Sequence, residues 1–84
     1  MSTLLYVTAK NCHLCGDGRA IVTRLADATG ASIRELDWDD DEAKALRERN
    51  GALFPPALYA DDRLLGFGRL SERRLRTLVR TVPA

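Results

Sequence analysis

Apolar residues come in short bursts along this chain, and the spacing within a burst changes from one to the next. LLYVT (4–8) is apolar and partly β-branched, which predicts a buried strand. From Ile21 the apolar positions fall at 21, 22, 25 and 28, one face of a helix that ends near Gly30. In ASIRELDW (31–38), Ile33, Leu36 and Trp38 alternate imperfectly with charged residues and predict a second strand. Asp39 or Asp40 then caps a helix over DEAKALRERN (41–50), whose early acids and late arginines suit the helix dipole. Gly51 is its natural left-handed terminator. Pro55 and Pro56 stop any helix. Beyond them ALYA (57–60), a turn at Asp61-Asp62, and RLLGF (63–67) read as an antiparallel hairpin. Ser71 caps a last helix, with Leu70 and Leu75 placed as a hydrophobic staple and Leu75, Leu78, Val79 and Val82 as its buried stripe.

The resulting order is β-α-β-α-β-β-α. The first two strands flank a helix and should run parallel, joined by a right-handed crossover. The economical packing is an α/β fold, a four-stranded mixed sheet with helices on both faces. Its 84 residues suffice for one domain (1–84) with a modest core.

Net charge is +1, which gives no global pull toward nucleic acid or an anionic membrane. MSTLLYV gives way to a polar AKN stretch by residue 9, without a basic leader or an apolar run of signal length. No stretch approaches the roughly 20 apolar residues of a membrane span. The expectation is a cytoplasmic monomer with no nucleic-acid or membrane partner. Charge is nonetheless uneven. Residues 35–42, ELDWDDDE, carry six acids and no base, whereas Arg63, Arg69, Arg73, Arg74, Arg76 and Arg80 face a single acid, Glu72, over 63–84. These runs read as solvated faces, or as a basic end that steers an acidic partner.

The chemistry concentrates in AKNCHLCGDGRA (9–20), which holds the only cysteines, Cys12 and Cys15. A bridge between them closes a very short loop and adds little stability through chain entropy, so the pair is active or incidental. A C-x-x-C beside a βαβ pattern is a redox signature. Cys12 is expected at the N-terminus of the first helix, where unpaired N–H groups and the positive end of the dipole lower a thiol's pKa. Cys15, one turn on, is placed to resolve a mixed disulfide. His13 either favours the Cys12 thiolate and shuttles a proton, or simply faces solvent. Gly16 and Gly18 disfavour helix by roughly 1 kcal/mol each relative to Ala, which suggests a loose first turn or close approach of another backbone.

A metal site is not expected. Zinc needs four ligands, and Cys12, Cys15 and the intervening His13 would require carboxylates or a second chain to complete the set. Haem attachment expects a histidine after the second cysteine, where Gly16 stands. A subunit-bridging iron–sulfur cluster would need two chains to supply four thiolates.

Cys12-His13-Leu14-Cys15, the element order, and Pro56 ahead of Ala57-Leu58-Tyr59 together resemble the glutaredoxin family of the thioredoxin-fold superfamily, over nearly the whole chain. The resemblance implies a dithiol redoxin that reduces protein or small-thiol disulfides, with Cys12 and Cys15 catalytic. It implies no tightly bound cofactor; glutathione or another thiol would be co-substrate, and a flavoprotein reductase could supply electrons. It also implies a cis-proline before the third strand, a role that the family spacing gives to Pro56, with Pro55 as the alternative. Substrate contacts carry over to His13, Leu14, Phe54, Pro55, Pro56, Gly66 and Phe67. The chain departs from the family at several positions, among them Lys10, a basic residue displaced to two positions ahead of Cys12. Pro55 stands where a main-chain N–H would hold glutathione, Phe67 replaces the second glycine of a Gly-Gly pair, and Arg69 replaces an acid. These favour a protein disulfide or another low-molecular-weight thiol over glutathione. The rival functions are a non-catalytic binding module of the same fold and a dimeric iron–sulfur cluster carrier.

Overall fold

The computed structural model describes residues 3–79. Seven elements follow in the predicted order: β1 (Thr3–Thr8), α1 (Cys15–Thr29), β2 (Ser32–Asp37), α2 (Asp41–Asn50), β3 (Ala57–Ala60), β4 (Arg63–Phe67) and α3 (Glu72–Val79). The strands form one mixed sheet in the order β2-β1-β3-β4. β1 and β2 are parallel, with Thr3 opposite Ser32 and Thr8 opposite Asp37. β3 runs antiparallel to β1, with Val7 opposite Ala57, and β4 returns antiparallel to β3 with a register shift at Leu58/Tyr59. The α/β class, the helical crossover and the hairpin are therefore as the periodicity predicts, in a thioredoxin-like arrangement.

Strand alternation sorts the core into two halves. Leu4, Tyr6, Leu58 and Ala60 point to one face, where α1 contributes Val22, Leu25 and Ala26 and α3 contributes Leu75 and Val79. Val7, Ala57 and Tyr59 point to the other, where α2 contributes only Ala43 and Leu46. Two helices thus cover one face and one helix the other. The Tyr59 hydroxyl is buried without a hydrogen-bond partner among the described residues. On the first face Glu72 of α3 accepts both Arg24 of α1, at 2.7 Å, and Arg76, at 3.0 Å, which clamps the two helices together.

The helix and turn signals perform as their chemistry dictates, with local exceptions. Gly51 is left-handed (φ 77°) and returns its N–H to the Arg47 carbonyl at 2.7 Å. Ser71 Oγ accepts the Arg74 N–H at 3.3 Å, and Leu70 and Leu75 lie in one cluster as the staple requires. Leu75 and Val79 are buried and Leu78 half-buried, while Val82 lies outside the described residues. Asp40 occupies the N-cap position of α2, but its carboxylate accepts the Asp37 N–H rather than a helix N–H. In α1, Ala26 is buried and Ala28 exposed, because 22, 25 and 26 follow the i, i+3, i+4 stripe more closely than 28 does. β2 is shorter than the predicted 31–38 and buries only Leu36; it is an edge strand, and Ile33 is 41% exposed. Trp38, just past it, is half-buried under the Arg47 guanidinium, 4.0 Å from the ring centroid.

The charged runs are more engaged than a plain solvated face. Glu35 pairs with Arg19 and Glu42 with Arg34, so the acidic segment is tied to basic residues on α1 and β2. In the basic segment Arg76 is paired to Glu72, and Arg80 lies outside the described residues. No helix among the described residues is long and apolar enough to cross a membrane.

Candidate functional site

β1 ends at Thr8, and the chain turns through residues 9–14 before α1 begins. Cys12 and Cys15 are joined in a disulfide across this turn, their Cα atoms 5.4 Å apart. The expected position of Cys12 at the helix N-terminus is corrected. Leu14 is the N-cap, Cys15 takes the first helical position, and Cys12 precedes it in the turn. The hydrogen bonds account for this. The Cys15 N–H reaches the Cys12 carbonyl only at 3.4 Å, whereas the Gly18 N–H meets the Leu14 carbonyl at 2.9 Å, the first short bond of the helix. Asn11, left-handed at φ 58°, turns the chain ahead of the cysteines. Leu14 carries no side-chain acceptor, so the amides at the start of α1 go uncapped by it.

Cys12 is half-buried and Cys15 only 6% exposed, so the first thiol is the accessible one and the second lies behind it. They line an open depression of about 410 Å³ together with Asn11, His13, Gly16 and Arg19. His13 is exposed on its rim. Arg19 makes a two-pronged contact with Glu35, at 2.8 and 3.1 Å, and Glu35 also accepts the Thr8 hydroxyl at 3.1 Å. These hydrogen bonds, Arg19's above all, hold the Glu35 carboxyl below its ordinary value. The Arg19 charge that lines the depression is therefore paired by Glu35.

Beneath the dithiol lies Tyr6, fully buried on β1, whose hydroxyl donates to the Cys15 carbonyl at 2.7 Å. Burial pushes its pKa up to about 12, against a smaller opposing effect of Arg19, so it is a neutral donor at physiological pH. Gly18 explains how the ring fits. A Cβ there would fall well inside contact distance of the Tyr6 hydroxyl. The close approach at Gly18 expected from another backbone is thus made by a side chain of the same molecule, while a Cβ on Gly16 would meet nothing within 4 Å.

The Pro55-Pro56 peptide is cis, which puts the cis-proline at Pro56. Because Val7 faces Ala57, Pro56 and Thr8 lie at the same end of the central strands, the end from which the cysteine turn departs. Pro56 is buried, and its carbonyl accepts the Gly68 N–H at 2.7 Å. Phe54, 53% exposed, packs edge-to-face on Phe67 with centroids 5.1 Å apart. Leu53 beside it is 76% exposed.

The predicted site residues separate into two groups. Cys12, His13 and Cys15 share the dithiol depression, and Phe54, Pro56 and Phe67 gather around Gly68. Gly66 and Phe67 line a different depression of about 390 Å³, with Arg69 and Arg74 at the start of α3. Leu14 and Pro55 are half-buried and line neither. Sequence reasoning missed Tyr6, Arg19 and Glu35. A tyrosine inside an apolar strand, which needs a partner for its hydroxyl, is the signal that could have found the first.

Among the described residues no group of three or more His, Cys, Asp or Glu is placed to hold a metal ion. No family model matches the sequence, and no curated protein does. A solved structure described as "Structure of a malarial protein" is similar over 93% of this chain and 92% of its own, with a TM-score of 0.63 and 22% identity. At that identity the likeness carries the fold alone.

Proposed function

We propose that this chain is a thiol–disulfide oxidoreductase, a dithiol redoxin of glutaredoxin-like type that reduces protein or small-thiol disulfides. The observation that carries the reading is the Cys12–Cys15 pair at the entry to α1, accessible sulfur first and buried sulfur second, at the same end of the sheet as cis-Pro56. In the reduced protein the Cys12 thiolate attacks a substrate disulfide. One substrate sulfur leaves with the electron pair and takes a proton, and Cys12 is left in a mixed disulfide. Cys15 then attacks the Cys12 sulfur and the second substrate sulfur departs. Two electrons and two protons have passed to the substrate, and the Cys12–Cys15 disulfide remains.

The start of α1 has no side-chain cap, and uncapped N–H groups at a helix start favour a thiolate nearby. Pro55 has no N–H to offer an extended substrate, and Arg69 and Arg74 border the depression where an acid would suit glutathione's amino group. Both favour a protein disulfide or a different small thiol as the partner. The exposed Leu53 and Phe54, beside the cis-proline, suit a protein surface.

The test is a disulfide-reduction assay on two variants. Cys12→Ser abolishes turnover, and Cys15→Ser accumulates a mixed disulfide visible as added mass under non-reducing conditions. Wild-type turnover by Cys12→Ser would sink the proposal. The exposed Leu53–Phe54 pair also favours a second reading, a binding module that holds partners without exchange. A Cys12 thiol that titrates like free cysteine by thiolate absorbance supports that reading instead.

A further inference from the structure

We infer that Tyr6 is a positioning residue for Cys15: its buried hydroxyl, donated to the Cys15 carbonyl, holds the second sulfur ready to close onto Cys12, and Gly18 keeps the space that bond needs. The inference deepens the proposed exchange activity and rests on it for its purpose, though not for its measurement.

The two cysteines reach the central strand β1 by different routes. Cys12 is tied to it along the chain, three residues beyond Ala9, which follows directly on Thr8. Cys15 sits at the first position of α1, where an end residue is held less firmly than the helix interior. Its carbonyl takes the helical N–H from four residues on. The Tyr6 hydroxyl is a second donor to the same oxygen, at 2.7 Å, and it comes from the sheet. The bond pins the start of α1 directly to β1, beneath the dithiol. Tyr6 itself cannot shift, being 0% exposed in the core with Leu4, Val22, Leu25 and Leu70.

Space for this bond exists only because residue 18 has no side chain. A Cβ there would collide with the Tyr6 hydroxyl and press on the Leu70 side chain at 3.3 Å. Glycine in a helix interior costs about 1 kcal/mol relative to alanine. Its presence in the first turn, with a buried phenol filling the gap, is a steric pairing of residues twelve positions apart. A side chain that merely filled the core would need no hydroxyl. Phenylalanine would do so without a polar group to satisfy.

The consequence is chemical. Closing the disulfide transfers two electrons and two protons from the dithiol to an oxidant, and joins Sγ of Cys12 to Sγ of Cys15. The more freedom Cys15 keeps in the reduced protein, the more is lost on closure and the weaker the internal disulfide relative to an external one. A donor that fixes the Cys15 peptide raises the effective concentration of the second thiol.

The experiment equilibrates the protein with mixtures of reduced and oxidised dithiothreitol and reads the fraction of Cys12–Cys15 disulfide by acid quench and alkylation. Tyr6→Phe is expected to lower the equilibrium constant for closure about three- to tenfold, the range of one hydrogen bond. It should also slow release of substrate from the Cys12 mixed disulfide while leaving the first attack by Cys12 unchanged. Gly18→Ala, which displaces the hydroxyl without removing it, is expected to shift the equilibrium in the same direction in the wild-type background and by less than twofold in the Tyr6→Phe background. An equilibrium constant within twofold of wild type in Tyr6→Phe, with oxidised and reduced forms losing equal stability, would make Tyr6 a core residue only and overturn the inference. Should Tyr6→Phe fail to fold, the titration of Gly18→Ala decides on the same threshold. Since this equilibrium needs no turnover, the two ideas fail separately. A protein that closes its disulfide through Tyr6 yet reduces no substrate loses the proposed activity, and one that turns over with an unmoved equilibrium in Tyr6→Phe loses only the role of Tyr6.

Discussion

Gly68 is left-handed at φ 71°, and a Cβ on it would lie 2.5 Å from the Phe54 ring. Both constraints act on one atom, since a side chain there is strained by the backbone and obstructed by the aromatic edge. Gly68→Ala is expected to lose about 1–2 kcal/mol in urea unfolding, from the left-handed backbone alone, with further loss if Phe54 cannot move. Pairing it with Phe54→Ala should recover the steric part and leave the backbone part. Tyr59 presents the reverse situation. Its hydroxyl is buried without a partner among the described residues, and burial raises its pKa. A buried hydroxyl with no partner forfeits its hydration, so Tyr59→Phe should unfold at the same or a higher temperature than wild type. A fall of several degrees would show that the hydroxyl is satisfied after all. Of these residues only Phe54 and Phe67 stand out in the sequence. Gly68 owes its constraint to a ring on a distant part of the chain and Tyr59 its dry hydroxyl to the packing of other elements, neither of which spacing displays.

At the scale of elements, the clamp between α1 and α3 ties stability to pH. Glu72 accepts Arg24 and Arg76, and their hydrogen bonds lower its pKa from 4.5 to about 2. A carboxyl whose folded pKa is depressed stabilises the native state above its unfolded pKa and loses that contribution as pH falls toward the folded value. The loss therefore develops below about pH 4.5 and is complete near pH 2. Glu72→Gln should flatten the unfolding profile over that window, lying below wild type near neutrality and meeting it near pH 2. Because the group is exposed, added salt should shrink the difference. Glu35 and Glu42, also lowered by their arginines, contribute in the same direction, so the variant flattens only part of the acid limb. The elements themselves were legible in the sequence because their signals are local: apolar spacing for β1 and the body of α1, early acids and late arginines for α2, Gly51 and Ser71 as stops and starts, the proline pair ahead of β3. The start of α1 was not. It depends on how Asn11, a residue type that suits a cap, instead turns the chain, and on Leu14, which carries no cap signature yet takes the N-cap position.

Across the whole molecule the sheet is unequally covered. One face carries α1 and α3, which put Val22, Leu25, Ala26, Leu75 and Val79 into its core, whereas α2 covers the other through Ala43 and Leu46 alone. Local stability follows buried apolar contact, so α2 should open before the rest. Native-state hydrogen exchange is expected to show its amides exchanging well before those of β1 and α1. Leu46, 1% exposed, is the side chain that holds it. Leu46→Ala should cost about 2–5 kcal/mol, or release α2 while the dithiol keeps its redox equilibrium. Protection as strong in α2 as in α1 would show that cap and ion-pair contacts hold α2 as firmly as burial holds α1. The overall architecture was readable because the order of strands and helices admits few packings. The joining of Tyr6 to Cys15 was not, since it arises only when β1 and the first turn of α1 are folded against each other.

The hairpin turn offers a handle on the molecule. β3 starts at the dithiol end and runs away from it, so Asp61 and Asp62 occupy the opposite pole. Both are left-handed, at φ 48° and 68°, and both are exposed. A dye, a tether or a few added residues built in there would sit at the opposite end of the sheet from the Cys12 and Cys15 sulfurs. The molecule can therefore be immobilised or watched by its tail while the cysteine turn at its other end stays open.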